Sequence, residues 1–196
     1  MTGQVFEIRI HGRGGQGVVT AAEMLSVAAF EEGWHAQAFP TFGSERTGAP
    51  VVSFCRLDRR PIRIHEPIAH PDALIVQDPT LLQQVRVFDG VGPDAYVLVN
   101  TTRSFAELGI QELVGELRGS RVLSVPATAI AREHVGRPMA NTALLGGFAA
   151  LTGVVSIEAV TEAIRRRFSG AVGAANAASA AAAFAYVTQQ KEHSDA

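Results

Sequence analysis

Seven residues near the start of the chain, His11-Gly12-Arg13-Gly14-Gly15-Gln16-Gly17, hold its densest concentration of chemistry. Glycines at this spacing suit a backbone that turns tightly, takes positive φ and lets another molecule approach its N–H groups. Arg13 adds a planar, permanent cation to the run. Such a loop suits an anion, usually a phosphate, if it lies where a strand turns into a helix. The same spacing also serves a tight turn that needs glycine only for packing.

The flanking elements meet that condition. Val5 to Ile10 alternates as a half-buried strand, and Val18 to Phe30 carries a helical pattern that stops at Gly33. Trp34 to Phe39 reads as a second strand ended by Pro40, and Thr41 to Pro50 as a polar loop. Strands are predicted at 51–57, at 62–65 as an edge or hairpin strand, at 73–78, at 95–100 and at 121–126. Helices are predicted at 80–87 and 127–135. From Asn141 the pattern is wholly helical, with Asn141-Thr142 capping 143–151, Ser156 capping 157–168, and an alanine-rich helix at 174–189. Gly146-Gly147 points to a close backbone approach. With Phe148 and the alanine-rich helix it forms either a surface for an obligate partner or an internal helix contact.

Strands alternating with helices and then a helical end predict an α/β fold, a doubly wound Rossmann-like sheet with a β-hairpin addition. The 196 residues fit one domain over 1–190 with a frayed tail at 191–196, and the 47% hydrophobic content supplies a core. A net charge of −2 argues against a nucleic-acid or membrane-surface binder. No uninterrupted apolar run reads as a membrane span, and the start lacks the layout of a signal peptide, so the expected location is cytoplasmic. The single cysteine, Cys55, can form neither an intrachain disulfide nor a cluster of thiolate ligands.

Several familiar enzyme readings fail on these residues. A dinucleotide site wants an acid about 20 residues past the glycines, and Gln37 to Thr41 offers none. A triphosphatase loop wants Lys-Ser or Lys-Thr after the glycines, and that is missing too. His11, His35, His65, His70 and His134 lack metal-ligand spacing, and Asp78 and Asp89 lack a paired acid. The chain therefore reads as a binding or assembly module, without a catalytic residue set or a metal site of its own.

Residues 8–23, 36–50, 75–82, 97–101 and 136–146 closely resemble the gamma subunit of the 2-oxoacid:ferredoxin oxidoreductases, the pyruvate:ferredoxin oxidoreductase group. The resemblance covers nearly the full chain. It implies oxidative decarboxylation of a 2-oxoacid such as pyruvate or phenylglyoxylate, usually to an acyl-coenzyme A. Electrons would go to ferredoxin, or to NAD through an added flavoprotein. Thiamine diphosphate, magnesium and iron–sulfur clusters would belong to alpha, beta and delta-type partner chains. The gamma chain would bind none of these by itself and would help shape the coenzyme A site. The candidate binding residues are Gly12, Arg13, Gly14, Gly15, Gln16, Gly17, Phe42, Gly43, Glu45, Arg46, Asn141 and Thr142. The chain departs from the family pattern at Ala174-Ala175-Asn176, where a lysine commonly precedes the asparagine. Two other readings stand beside this one: an independent nucleotide-binding regulatory module, and a structural subunit whose glycine loop binds nothing.

Overall fold

Six strands form one sheet in the computed structural model, which describes residues 5–41 and 47–194. They are β1 (Phe6–Arg13), β2 (His35–Pro40), β3 (Pro50–Asp58), β4 (Ala73–Val76), β5 (Tyr96–Asn100) and β6 (Val122–Val125). The order across the sheet is β2-β3-β1-β4-β5-β6. β1, β4, β5 and β6 are mutually parallel, whereas β3 runs antiparallel to both of its neighbours. Helices α1 (Val18–Glu31), α2 (Gln111–Gly115), α3 (Ala127–Val135), α4 (Asn141–Thr152), α5 (Ile157–Arg167) and α6 (Gly170–Ser194) complete the α/β architecture.

The hairpin is present, but β2 and β3 build it, not residues 62–65. Those residues form no ladder. Pro61 and Pro67 remove donors at both ends of the stretch, and the carbonyls of Ile64 and Glu66 accept instead from the Arg56 guanidinium. The helix predicted at 80–87 is only a short 3₁₀ turn, Pro79–Gln83, capped by the Asp78 carboxylate. Ser156 caps α5 as predicted, accepting from the Ala159 N–H at 3.1 Å. Asn141 does not cap α4. It is that helix's first residue, and its amide reaches the glycine loop instead.

Strand alternation divides the core in two. Ile8, Ile10, Ile75, Leu98 and Val125 join an apolar layer with α1 and α3 to α6. Their neighbours in sequence, Leu74, Val76, Val97 and Val99, face Leu81, Val87, Ile110 and Val114 on the other side. Under β1 and β3 that second side is polar. Arg9 donates to the carbonyls of Val87 at 2.8 Å and Asp89 at 2.6 Å, and Arg56 pairs with Glu7 at 2.6 Å.

The Gly146-Gly147-Phe148 segment packs internally, so the partner-surface reading of it falls. All three residues are buried in α4, and a Cβ built on Gly146 would lie 1.9 Å from the Ala180 carbonyl oxygen of α6. Only a bare Cα lets the two helices cross so closely. No uninterrupted apolar run of bilayer length occurs in α6, where Asn176 and Ser179 break the apolar sequence, but the helix passes a looser test of length and mean composition. Residues 170–193 satisfy it, with a mean hydropathy of 1.3. Alanine carries that value, and Ala177, Ala180, Ala183 and Val187 are buried in the core shared with α4.

Candidate functional site

β1 delivers the chain to the carboxyl edge of the sheet, and α1 takes it away again. Between them Gly17 adopts φ 72°, ψ 34°, in the left-handed region, and precedes the helix with no side-chain cap. A Cβ on Gly17 would lie 2.5 Å from the Asn141 amide nitrogen. Glycine is therefore required there twice over, by conformation and by contact. The N–H groups of Val18, Val19 and Thr20 open α1 without helical acceptors, since the Gly17 carbonyl first receives the Ala21 N–H. Such a helix start attracts negative charge.

A second segment locks the loop from the side. The Gly14 N–H donates to Ala49 at 2.9 Å, and the Gly48 N–H donates back to Gly14 at 3.0 Å. Side chains lock it from below. Gln16 accepts from the Arg13 N–H at 2.8 Å and donates to the Asp78 carboxylate at 2.8 Å. Arg13 donates to Asp78 at 3.1 Å, to Thr80 Oγ1 at 2.6 Å, to Gln84 at 2.8 Å and to the Gly48 carbonyl at 3.0 Å. Burial works against the charge on Asp78. The hydrogen bonds from Thr80 and Gln16 and the Arg13 guanidinium outweigh it and hold the carboxyl below its ordinary value.

A ladder of amides joins the loop to the neighbouring strand ends. Gln77 donates to the Gln16 carbonyl at 2.5 Å, and Asn100 donates to the Gln77 carbonyl and to Thr128, both at 2.8 Å. From α4, Asn141 reaches the Gly17 carbonyl at 3.4 Å, and Thr142 donates to Asn176 of α6 at 3.0 Å. Over the loop lies an open cavity of about 400 Å³, bordered by Arg13, Gly15, Val19, Thr47, Val51 and Met139.

The structure thus brings together Gly12, Arg13, Gly14, Gly15, Gln16 and Gly17 with Asn141, and places Thr142 beside Asn141. Phe42, Gly43, Glu45 and Arg46 lie outside the described residues. The carboxylate paired with Arg13 among the described residues is Asp78. Sequence reasoning set Asp78 aside for want of a paired acid and did not consider Thr80, Gln84 or Met139 as site residues. Asp78 had one available signal, as an acid at the carboxyl end of a short apolar strand on the edge where α/β sheets bind ligands.

Two titratable groups near the loop are not part of the cavity wall. His11 is buried, and among the described residues neither ring nitrogen has a hydrogen-bond partner. Burial first, and the Arg9 charge second, push its pKa down to about 4, so the ring is neutral at pH 7. Cys55 is fully buried, and burial pushes its thiol well up, away from the thiolate that a ligand or nucleophile needs.

Residues 7–186 match the family model described as pyruvate ferredoxin/flavodoxin oxidoreductase. The chain is 49% identical over 180 residues to a protein of Thermococcus kodakarensis named common subunit gamma of pyruvate/ketoisovalerate oxidoreductases. That match covers 92% of this chain and 96% of the relative. The solved pyruvate oxidoreductase subunit PORC of Thermotoga maritima is 34% identical, with a TM-score of 0.78 over 93% of this chain and 96% of its own. A 2-oxoglutarate:ferredoxin oxidoreductase of Magnetococcus marinus, solved with 2-oxoglutarate, coenzyme A and succinyl-CoA bound, shares the fold at 17% identity. Its TM-score is 0.73, over 95% of this chain and 31% of that one.

Proposed function

Since the chain belongs to the pyruvate ferredoxin/flavodoxin oxidoreductase family, we propose that it is the gamma subunit of a multi-subunit 2-oxoacid:acceptor oxidoreductase. The observation that carries the reading is kinship over 92% of this chain and 96% of a relative named as a gamma subunit. The reaction is the oxidative decarboxylation of a 2-oxoacid such as pyruvate, with the acyl group passed to coenzyme A and the electrons to ferredoxin or an NAD-linked flavoprotein. The enzyme works in the cytoplasm. Thiamine diphosphate, magnesium and iron–sulfur clusters sit on the alpha, beta and delta-type partners. One inert, buried thiol suits that division of labour. A free-standing nucleotide-binding regulator is not favoured by relatives that are enzyme subunits along their whole length.

This chain's contribution is an anion seat for coenzyme A, whose thiol accepts the acyl group. The α1 N–H groups supply the attraction. Arg13 lines the same cavity, but Asp78 neutralises much of its charge, so it supplies orientation more than field. Asp78 is the positioning residue. It fixes Arg13 and Gln16 together, and the loop is preorganised before a ligand arrives.

The test is a tagged copy of the full chain purified from its native source. Partner chains with iron–sulfur absorbance and 2-oxoacid-dependent reduction of ferredoxin are expected, and a lone chain without them overturns the proposal. In that complex Arg13→Ala is expected to raise the KM for coenzyme A. A contact from a guanidinium already paired with Asp78 is worth about 0.5–1.5 kcal/mol, or roughly 2–10-fold. Unchanged coenzyme A kinetics, or loss of the subunit, assigns Arg13 to the interface instead.

A further inference from the structure

The amino edge of the sheet, at the far end of the strands from the glycine turn, holds an open cavity of about 560 Å³. The starts of four parallel strands border it: Phe6 of β1, Asp72 just before β4, Tyr96 of β5 and Arg121 just before β6. That volume falls within the roughly 300–1,000 Å³ typical of small-molecule sites. The rim is held rigidly. Arg9 donates to the carbonyls of Ala69, Val87 and Asp89, which ties the segment before β4 to the turn before β5. Gly90 in that turn has φ 75°, and a Cβ there would lie 1.9 Å from the Ala69 carbonyl oxygen. The cavity is thus shaped before any ligand enters it.

Two rings and two charges of opposite sign line it. Phe6 and Tyr96 are partly buried, with ring centroids 6.4 Å apart. Asp72 is half-buried, and its carboxylate accepts the Glu7 N–H at 2.8 Å. Among the described residues no cation pairs with it. Burial raises its carboxyl above the ordinary value against the pull of the Glu7 N–H, and the Glu7 charge adds to the rise. The Arg121 guanidinium stacks over the Tyr96 ring at 4.6 Å and donates to the Asp94 carbonyl. Among the described residues no carboxylate pairs with it, because the Asp94 carboxylate is taken by Arg118 at 2.7 Å. A half-buried charge without a counter-charge is costly. Opposite charges that share a cavity yet leave each other unpaired complement a ligand that carries both.

We infer that this cavity binds an α-amino acid with an apolar or aromatic side chain. Its ammonium meets Asp72, its carboxylate meets Arg121, and its side chain lies against Phe6 and Tyr96. The site is at the opposite edge of the sheet from the glycine turn and does not rest on the coenzyme A reading. α-Amino acids are the aminated counterparts of 2-oxoacids, so the ligand stands one transamination away from the substrate class proposed above.

The probe is L-phenylalanine, titrated calorimetrically into the full chain, and saturable binding is expected. 3-Phenylpropionate lacks the ammonium and phenethylamine lacks the carboxylate, so each is expected to bind about tenfold more weakly. Asp72→Asn is expected to weaken L-phenylalanine about tenfold and leave 3-phenylpropionate as in wild type. Arg121→Met is expected to weaken L-phenylalanine by about the same factor and leave phenethylamine as in wild type. A thermal melt of each variant checks folding, and the crossed pattern is one that general loosening of the edge does not produce. If one variant fails to fold, the other and the two analogues still decide. No saturable binding, equal affinity for the three probes, or variants that weaken all three alike overturns the inference. Each of those results leaves the subunit reading untouched, because neither partner chains nor coenzyme A take part in the titration.

Discussion

On one face of β1, Ile8 and Ile10 enter an apolar core shared with α1 and α4. On the other face, Arg9 and His11 lie under irregular chain. The helical face is covered by elements whose backbone groups are already paired, so it needs only shape. The strap face is covered by turns with spare carbonyls, and arginine forks supply the missing donors. The first face is thus vulnerable to a methyl group, and the second to a change of charge.

The largest effect is expected on the helical face. Gly146→Ala places its Cβ against the Ala180 backbone, which no rotamer change relieves. Overpacking of this kind costs about 3 kcal/mol, and urea unfolding of the full chain measures it. A wild-type midpoint would mean that the α4–α6 crossing is softer than the geometry says.

The strap face should show itself through pH. His11 has a folded pKa of about 4, below its ordinary 6.5, so the unfolded chain takes the proton first as pH falls. Its contribution is complete above pH 6.5 and is lost as pH drops towards 4, a change of about 3 kcal/mol. Unfolding of wild type and His11→Leu at pH 7 and pH 4.5 tests this, and the variant should lose less stability on acidification. Equal losses would mean that the ring finds a partner when charged.

Arg56→Met sharpens the comparison with a smaller and more local change. Arg56 holds the carbonyls of Ile64 and Glu66, stacks over Phe39 and pairs with Glu7. Its loss should cost about 1.5–3 kcal/mol. Amide exchange of residues 59–67 should quicken while α4 and α6 stay protected. Uniform quickening would show that the two faces unfold as one unit.

Much of the helical face was legible in the sequence because it obeys periodicity. α1, α3, α4 and α5 fall within a residue or two of their predicted bounds, β1 runs three residues past its predicted end to Arg13, and Gly146-Gly147 signalled the close crossing. The strap face was not legible. Ile62-Arg63-Ile64-His65 alternates like a strand, yet an arginine from β3 claims its carbonyls, and no local pattern reports a claim made from another element. The site divides in the same way. The strand–glycine–helix turn could be read from adjacent residues, but the contact of Asn141 with Gly17 spans 124 positions. Asp78 looked isolated because Arg13 and Gln16, which bind its carboxylate, come from the glycine loop, 65 and 62 positions away.

The sheet order has a consequence for the chain as it is synthesised. β2 has one ladder neighbour, β3, and β1 has two, β3 and β4, both of which come later in the chain. When the ribosome has released β1, α1 and β2, not one inter-strand bond of the final sheet can yet form. The place between β1 and β2 must stay vacant until Asp58 has emerged, and then a strand running the opposite way fills it. Until that moment the glycine turn has no Ala49 to hold it, and the apolar side of α1 has only β1 and β2 for shelter. The first sixty or so residues are therefore the stretch of translation at which a nascent chain of this design most needs a chaperone.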